Sequence, residues 1–178
     1  NRLKQHNAFD RDLIVALQNA LDAIAHNPQV RVVKITANGR FFCAGGDLSW
    51  FKNATQFTDA ENEADAKILA RLLHTLNELP QPTLAVVQGS AFGGGLGLIA
   101  CCDIAIAVDT ATFSLSEVKL GLVPATIAPF IIRAIGMRQL RRYALTAELI
   151  SATEAHRLGL LHSITEENLL HNMADDIV

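Results

Sequence analysis

The chain has 178 residues, 50% of them hydrophobic and 19% charged, which is long enough for one well-buried core and short for two. A formal net charge of −3 without a run of lysines or arginines excludes an electrostatic footprint for nucleic acid, and no stretch of about 18 apolar residues calls for a membrane span. Cys43, Cys101 and Cys102 make neither a disulfide framework nor a metal spacing and read as core thiols of a reducing compartment, so a small-molecule partner is expected.

The first residues, Asn1-Arg2-Leu3-Lys4, carry no signal-peptide pattern. Asn7 or Asp10 is placed to cap a helix whose Leu13, Leu17, Ala20, Leu21 and Ile24 recur at three and four residues and which ends near Asn27-Pro28. Val30, Val32, Val33 and Ile35 predict a buried strand closed by the turn Asn38-Gly39. Phe41-Phe42-Cys43-Ala44-Gly45-Gly46-Asp47-Leu48 reads as a strand running into a small-residue turn, with Asp47 placed to cap a short helix after it. Residues 59–79 predict the longest helix, with Ile68, Leu69, Leu72, Leu73, Leu76 and Leu79 as its buried stripe and Pro80 and Pro82 as its stop. Its acidic start, Asp59, Glu61, Glu63 and Asp65, suits the helix dipole and reads as a solvated face.

Leu84–Val87 predicts a strand, Gly93-Gly94-Gly95 a turn that runs into a short apolar helix before Asp103, and Ile104–Val108 another strand. The three glycines remove side chains where a ligand atom could approach bare backbone, and the first helical turn offers N–H groups without intrahelical partners. Ala111–Leu115 follows as a short extended piece, and Ser116–Pro124 as a loop in which Glu117 reads equally as a capping or solvated carboxylate and as an acid–base group. Residues 127–147 predict two helical patches parted by Gly136, with Pro129 early in the first. Their Phe130, Ile131, Ile132, Ile135, Leu140 and Leu145 exceed what one small domain covers and predict an oligomer. Residues 152–158 predict a helix stopped at Gly159, and a last amphipathic segment runs to Val178.

Several chemistries lack their residues. Gly95-Leu96-Gly97-Leu98-Ile99-Ala100 matches a dinucleotide fingerprint but lies inside the expected helix, past the turn where a pyrophosphate would sit. There is no nucleotide P-loop, no G-x-S-x-G elbow, and no metal spacing among His6, His26, His74, His156, His162 and His171. What remains is two glycine turns supplying N–H donors and one carboxylate at Glu117, a combination that suits chemistry through an enolate. A well-aimed donor at a developing oxyanion is worth about 3 to 4 kcal/mol, and a carboxylate then has only to move a proton beside the carbonyl.

These residues resemble the enoyl-CoA hydratase/isomerase (crotonase) superfamily. Phe42–Leu48 is similar to the family's first oxyanion turn and Gly89–Asp103 to its second. The likeness continues through Phe113–Pro124, Arg133–Gly136 and Ala152–Leu160, and so covers essentially the whole chain. It implies an α/β fold with a spiral ββα core in a single domain over 1–178. It also implies an incomplete chain, with the family's N-terminal strands and C-terminal helices beyond Asn1 and Val178. A homotrimer or hexamer, an acyl-CoA thioester as partner, and no cofactor apart from the coenzyme A of the substrate are implied too, without nucleic acid or membrane. The compartment implied is the cytoplasm of a bacterium, or the mitochondrial matrix if the source is eukaryotic.

Carried over by resemblance, the oxyanion donors are the backbone N–H groups of Gly46 and Gly94, and Glu117 is the catalytic carboxylate. Coenzyme A would lie along Lys4, Gln5, His6, Ala8, Ala44, Asp47 and Leu48, although Lys4 reads equally as a solvated lysine. The family's hydratases flank the water with two glutamates, and the first falls at Gly97 here. One glutamate leaves three readings: a hydratase, a double-bond isomerase using a single proton shuttle, and a silent acyl-CoA-binding scaffold. The motifs Gly93–Leu98, Cys101-Cys102-Asp103 and Leu115–Val118 look most like the bacterial methylglutaconyl-CoA and isohexenylglutaconyl-CoA hydratases of leucine and acyclic terpenoid breakdown. A carboxylated substrate would want a cation at its acyl end, for which Lys119 and Arg133 are candidates.

Overall fold

The computed structural model describes residues 1–50 and 56–178. Its first six strands alternate between two sheets, and this alternation builds the candidate site. β1 (Val33–Thr36), β3 (Thr83–Val87), β5 (Ile104–Val108) and β8 (Ser163–Thr165) form one parallel sheet in that order. β2 (Phe41–Cys43), β4 (Ser90–Phe92) and β6 (Thr112–Ser114) run parallel in the other, which β7 (Ile150–Ser151) closes antiparallel to β6. Each of the first three repeats therefore lays one strand in each sheet and returns through helical chain, the ββα spiral expected from the resemblance, and β7 and β8 then add one strand to each sheet with a helix between them.

The first sheet is an interior layer. Every residue of β3 is buried, as befits a parallel strand covered on both faces. The buried apolar side chains of both sheets and of the helices around them form one continuous cluster. The strand expected from Val30 begins only at Val33, whose N–H donates to the carbonyl of Pro82 (2.9 Å).

Local chemistry explains the helix ends. α1 (Arg11–Ala25) starts at Asp10, whose carboxylate accepts from the Leu13 N–H (2.8 Å). Asn7 is not the cap. It is buried in left-handed backbone, and its amide donates to the carbonyls of Asn38 and Phe41. α2 (Asp59–Asn77) opens with a capping box, Thr58 accepting from the Glu61 N–H while the Glu61 carboxylate accepts from the Thr58 N–H. The solvated reading of its acidic start fails at Asp65, which is only 8% exposed and accepts from Arg11 and from the Trp50 indole, each at 2.9 Å.

α3 (Gly94–Cys101) is short, apolar and almost wholly buried, a helix held inside the core. After a 3₁₀ turn at Glu117–Leu120 comes α4 (Ala128–Thr146), interrupted as expected at Gly136. Most of the apolar residues that suggest an open surface are not exposed. Ile131, Ile135 and Leu140 are buried and Phe130 and Ile132 pack on the core, leaving Leu145 exposed. That argument for an oligomer therefore loses its premise. α5 (Ala152–Leu158) is capped by Ser151 and ended by Gly159, and α6 (Leu170–Ile177) completes the described chain. Among the described residues no helix is long and apolar enough to cross a membrane. The short helix expected after Asp47 runs into 51–55, outside the described residues.

Candidate active site

Three neighbouring parallel strands of the second sheet deliver the candidate residues at one end. Phe41 and Cys43 of β2 pair with Ser90 and Ala91 of β4, so the turns that follow these two strands emerge side by side. Ala91 and Phe92 pair with Phe113 and Ser114 of β6, which brings Glu117 to the same edge. Chain segments leaving the carboxyl ends of adjacent parallel strands converge in this way in open α/β folds.

The convergence is tight. A methyl group placed on Gly93 would lie 3.0 Å from Glu117 Oε1 and 3.8 Å from Gly45 Cα, so the carboxylate lies over the second turn where it meets the first. Gly93 (φ 49°) and Gly45 (φ 93°) both occupy left-handed backbone that favours glycine. Gly93 N–H donates to the Ser114 carbonyl (3.0 Å), tying the second turn to β6. Glu117 begins its 3₁₀ turn, and its carbonyl accepts from the Leu122 N–H (3.1 Å), which fixes the backbone that carries the acid.

Glu117 is neither a cap nor a solvated carboxylate. Its residue is half-buried, and Oε2 is buried without a hydrogen-bond partner among the described residues. Burial raises its pKa above the ordinary glutamate range, opposed by a smaller contribution from its own backbone N–H. A carboxyl held this way gives up and takes back a proton nearer neutrality than an exposed glutamate does.

The two turns present their N–H groups differently. Phe9 pairs with the first turn as a one-residue parallel bridge: its N–H donates to the Gly45 carbonyl (2.7 Å) and its carbonyl accepts from the Asp47 N–H (2.8 Å). Pairing of this kind on either side of Gly46 turns the N–H of Gly46 itself away from Phe9. Gly94 is the first residue of α3, where N–H groups lack intrahelical acceptors. Among the described residues neither N–H has a backbone acceptor, and Gly46 and Gly94 are half-buried whereas Gly45 and Gly93 are buried.

The glycines of the second turn do not leave open space for a ligand, as the sequence suggests. A methyl on Gly94 would lie 2.9 Å from the Phe9 ring, and one on Gly95 would lie 2.8 Å from Cys43 Cβ. One on Gly97 would lie 2.6 Å from Ile127 Cγ2 and 3.3 Å from Leu73 Cδ1. Protein side chains occupy those volumes, so what the turn can offer a ligand is backbone.

The residues expected along coenzyme A lie together. The N–H of Ala44 donates to the His6 carbonyl (3.0 Å), so the 3₁₀ turn Leu3–Gln5 and the residues to Ala8 run beside Ala44–Leu48. Lys4, Gln5, His6 and Leu48 are exposed, Ala44 and Asp47 half-buried, and Ala8 buried. Arg2 binds this segment, pairing with Asp10 (2.8 Å) and Asp47 (3.0 Å) and donating to the Ala8 carbonyl (2.7 Å). Hydrogen bonds from Ser49, with help from Arg2, hold the Asp47 carboxyl below its usual range. Arg2 and Phe9 were not foreseen, although Phe9, the large apolar residue just before the capping Asp10, was a visible signal.

Arg133 does not reach the site. It lies at the C-terminal end of α3, hydrogen-bonded to Asn77, beside a cavity of about 460 Å³ that Cys101, Asp103 and His162 also line. Lys119 is exposed on the turn that carries Glu117. Burial pushes the Cys43 thiol up to about 11 and the Cys102 thiol to about 12, which makes both poor nucleophiles at neutral pH. Among the described residues no three His, Cys, Asp or Glu side chains are grouped to hold a metal ion.

Comparison with known proteins agrees with the fold. A crystal structure of an enoyl-CoA hydratase from Shewanella pealeana superposes with a TM-score of 0.96 at 45% identity, covering 99% of this chain and 66% of that one. An enoyl-CoA hydratase of Alternaria alternata is 36% identical over 100% of this chain and 58% of its own length. Human mitochondrial methylglutaconyl-CoA hydratase is 32% identical over 94% of this chain and 49% of its own length. The chain thus spans roughly half to three-fifths of these two curated relatives. The profile of the enoyl-CoA hydratase/isomerase family matches residues 1–177, and the chain belongs to that family.

Proposed function

We propose that the protein adds water across the 2,3 double bond of an enoyl-CoA thioester. The observation that carries this reading is the Glu117 carboxyl, buried, without a partner at Oε2 among the described residues and lying over the junction of the two glycine turns. In this reading the N–H groups of Gly46 and Gly94 donate to the thioester oxygen. Glu117 takes a proton from water as the water oxygen bonds to C3, and the double-bond electrons move into an enolate on the thioester oxygen. The enolate then takes the proton back from Glu117 at C2, so that one water is added and the carboxylate is restored. Coenzyme A lies along Lys4, Gln5, His6, Ala8, Ala44, Asp47 and Leu48, and no further cofactor enters.

For the acyl part we favour a 3-methylglutaconyl-type group, with Lys119 as the cation for its second carboxylate. The similarity to the human hydratase supports this choice. A trimer is expected on family grounds, and sedimentation of the full-length protein as a stable monomer would contradict it.

A second reading, a double-bond isomerase, is favoured by one observation: Ile127 and Leu73 fill the space beside Gly97, so Glu117 works without a second carboxylate there. A single base moving a proton between C2 and C4 suffices for isomerisation. Product analysis of the full-length protein with crotonyl-CoA, 3-methylglutaconyl-CoA and a 3-enoyl-CoA separates the two. Glu117→Gln should lower turnover of the preferred substrate by roughly 10² to 10⁴ while thioester binding survives. Full turnover in that variant would overturn the mechanism, and no turnover of any enoyl-CoA by the wild type would leave an acyl-CoA-binding scaffold.

A further inference from the structure

We infer that Phe9 is the positioning residue that sets the separation of the two N–H donors, a role that rests on the oxyanion reading of Gly46 and Gly94. Phe9 is the residue whose backbone is bonded to the first turn while its side chain touches the second. Its N–H and carbonyl bracket Gly46 through Gly45 and Asp47, at 2.7 and 2.8 Å. Its ring, 2% exposed, lies so close to Gly94 that a methyl there would stand 2.9 Å from both Cδ2 and Cε2. One path from donor to donor therefore runs through a hydrogen-bonded strand residue and a rigid ring in van der Waals contact, beside the direct approach of Gly93 to Gly45. Leu69 of α2 lies 3.9 Å from the same methyl position, in ordinary van der Waals contact.

An oxyanion is stabilised by two donors only when both reach the position its oxygen will take, and small misplacement is expensive in rate. A smaller side chain at 9 lets the turns close or slide, and a larger residue at 94 pushes them apart. The two errors have opposite sign and should partly cancel in kcat and in the polarisation of the bound carbonyl, whereas a merely structural contact would show its compensation in stability alone.

The test uses the full-length protein and its preferred enoyl-CoA. Phe9→Leu and Gly94→Ala should each lower kcat roughly 10- to 100-fold with little change in KM, and the double variant should be faster than Gly94→Ala alone. Infrared spectra of bound carbonyl-labelled butyryl-CoA should show a carbonyl stretch moved to lower frequency in the wild type and less so in each single variant. S-butyl-CoA, a thioether without that carbonyl, should bind all of them alike. Wild-type kcat and carbonyl shift in Phe9→Leu, or a double variant no better than Gly94→Ala, would overturn the spacer role while leaving the oxyanion reading intact. No carbonyl shift in the wild type would remove both.

Discussion

The two glycine turns sit against each other but are held in place by opposite means. The first, Gly45–Asp47, is held from outside by main-chain bonds to Phe9 and by Arg2, whose ion pairs with Asp10 and Asp47 are about a quarter exposed or less. The second, Gly93–Gly95, is held from inside, where Phe9, Cys43 and Glu117 occupy the volumes that side chains would need, and one turn along α3 Ile127 and Leu73 do the same at Gly97. A polar clasp can loosen by degrees. A close-packed interior contact either fits or forces something to shift.

This contrast is broken most directly at the inner turn. Gly97→Glu should destabilise by more than about 4 kcal/mol, since it overpacks Ile127 and buries an unpaired carboxylate. Denaturant titration measures the loss, and Ile127→Ala in the same chain should recover part of it. A Gly97→Glu protein as stable as the wild type would mean that the helix yields easily and that the two turns do not differ as described. At the outer turn, Arg2→Ala should cost only about 1 kcal/mol, raise KM for the thioester a few-fold and leave kcat within about twofold. A fall in kcat equal to that of Gly94→Ala would put the two turns on the same footing.

The smallest effect sharpens the comparison at Glu117, where the turns meet. Its folded pKa is raised, so the buried carboxyl favours the folded state below the ordinary glutamate pKa and that contribution is lost as pH rises through the raised value. Glu117→Gln should therefore raise the melting temperature near neutral pH, and the gain should vanish as pH falls below the ordinary glutamate range. Equal melting temperatures at both pH values would mean that the carboxyl is not held away from water. In the wild type, the acid limb of the pH–rate profile should lie above the ordinary glutamate pKa for the same reason.

Much of this was legible in the chain. The apolar run before Gly93, the small residues after Phe42 and the isolated Glu117 mark strand ends and a candidate acid–base group because glycine and carboxylate are chemically unlike their neighbours there. Less legible was which side chain fills each glycine's missing volume, since that depends on contacts between segments far apart, such as Phe9 on Gly94. Asp65 was misjudged although its spacing held the clue: it stands three, four and seven residues before Ile68, Leu69 and Leu72, on the buried stripe, where Arg11 and Trp50 satisfy it. Arg133 was beyond reach of pattern, because nothing in its neighbours reveals which end of α3 it approaches.

The alternation of strands between two sheets has a kinetic consequence. Phe41 meets Ser90, and Ala91 meets Phe113, only when strands from three successive repeats have docked in register. Such pairings close long loops and form slowly, whereas α1 and α2 need only local contacts to begin. A refolding chain should regain helical circular dichroism well before it regains turnover. Activity is then a readout of completed topology, and a chain stalled with its helices formed would have no site at all.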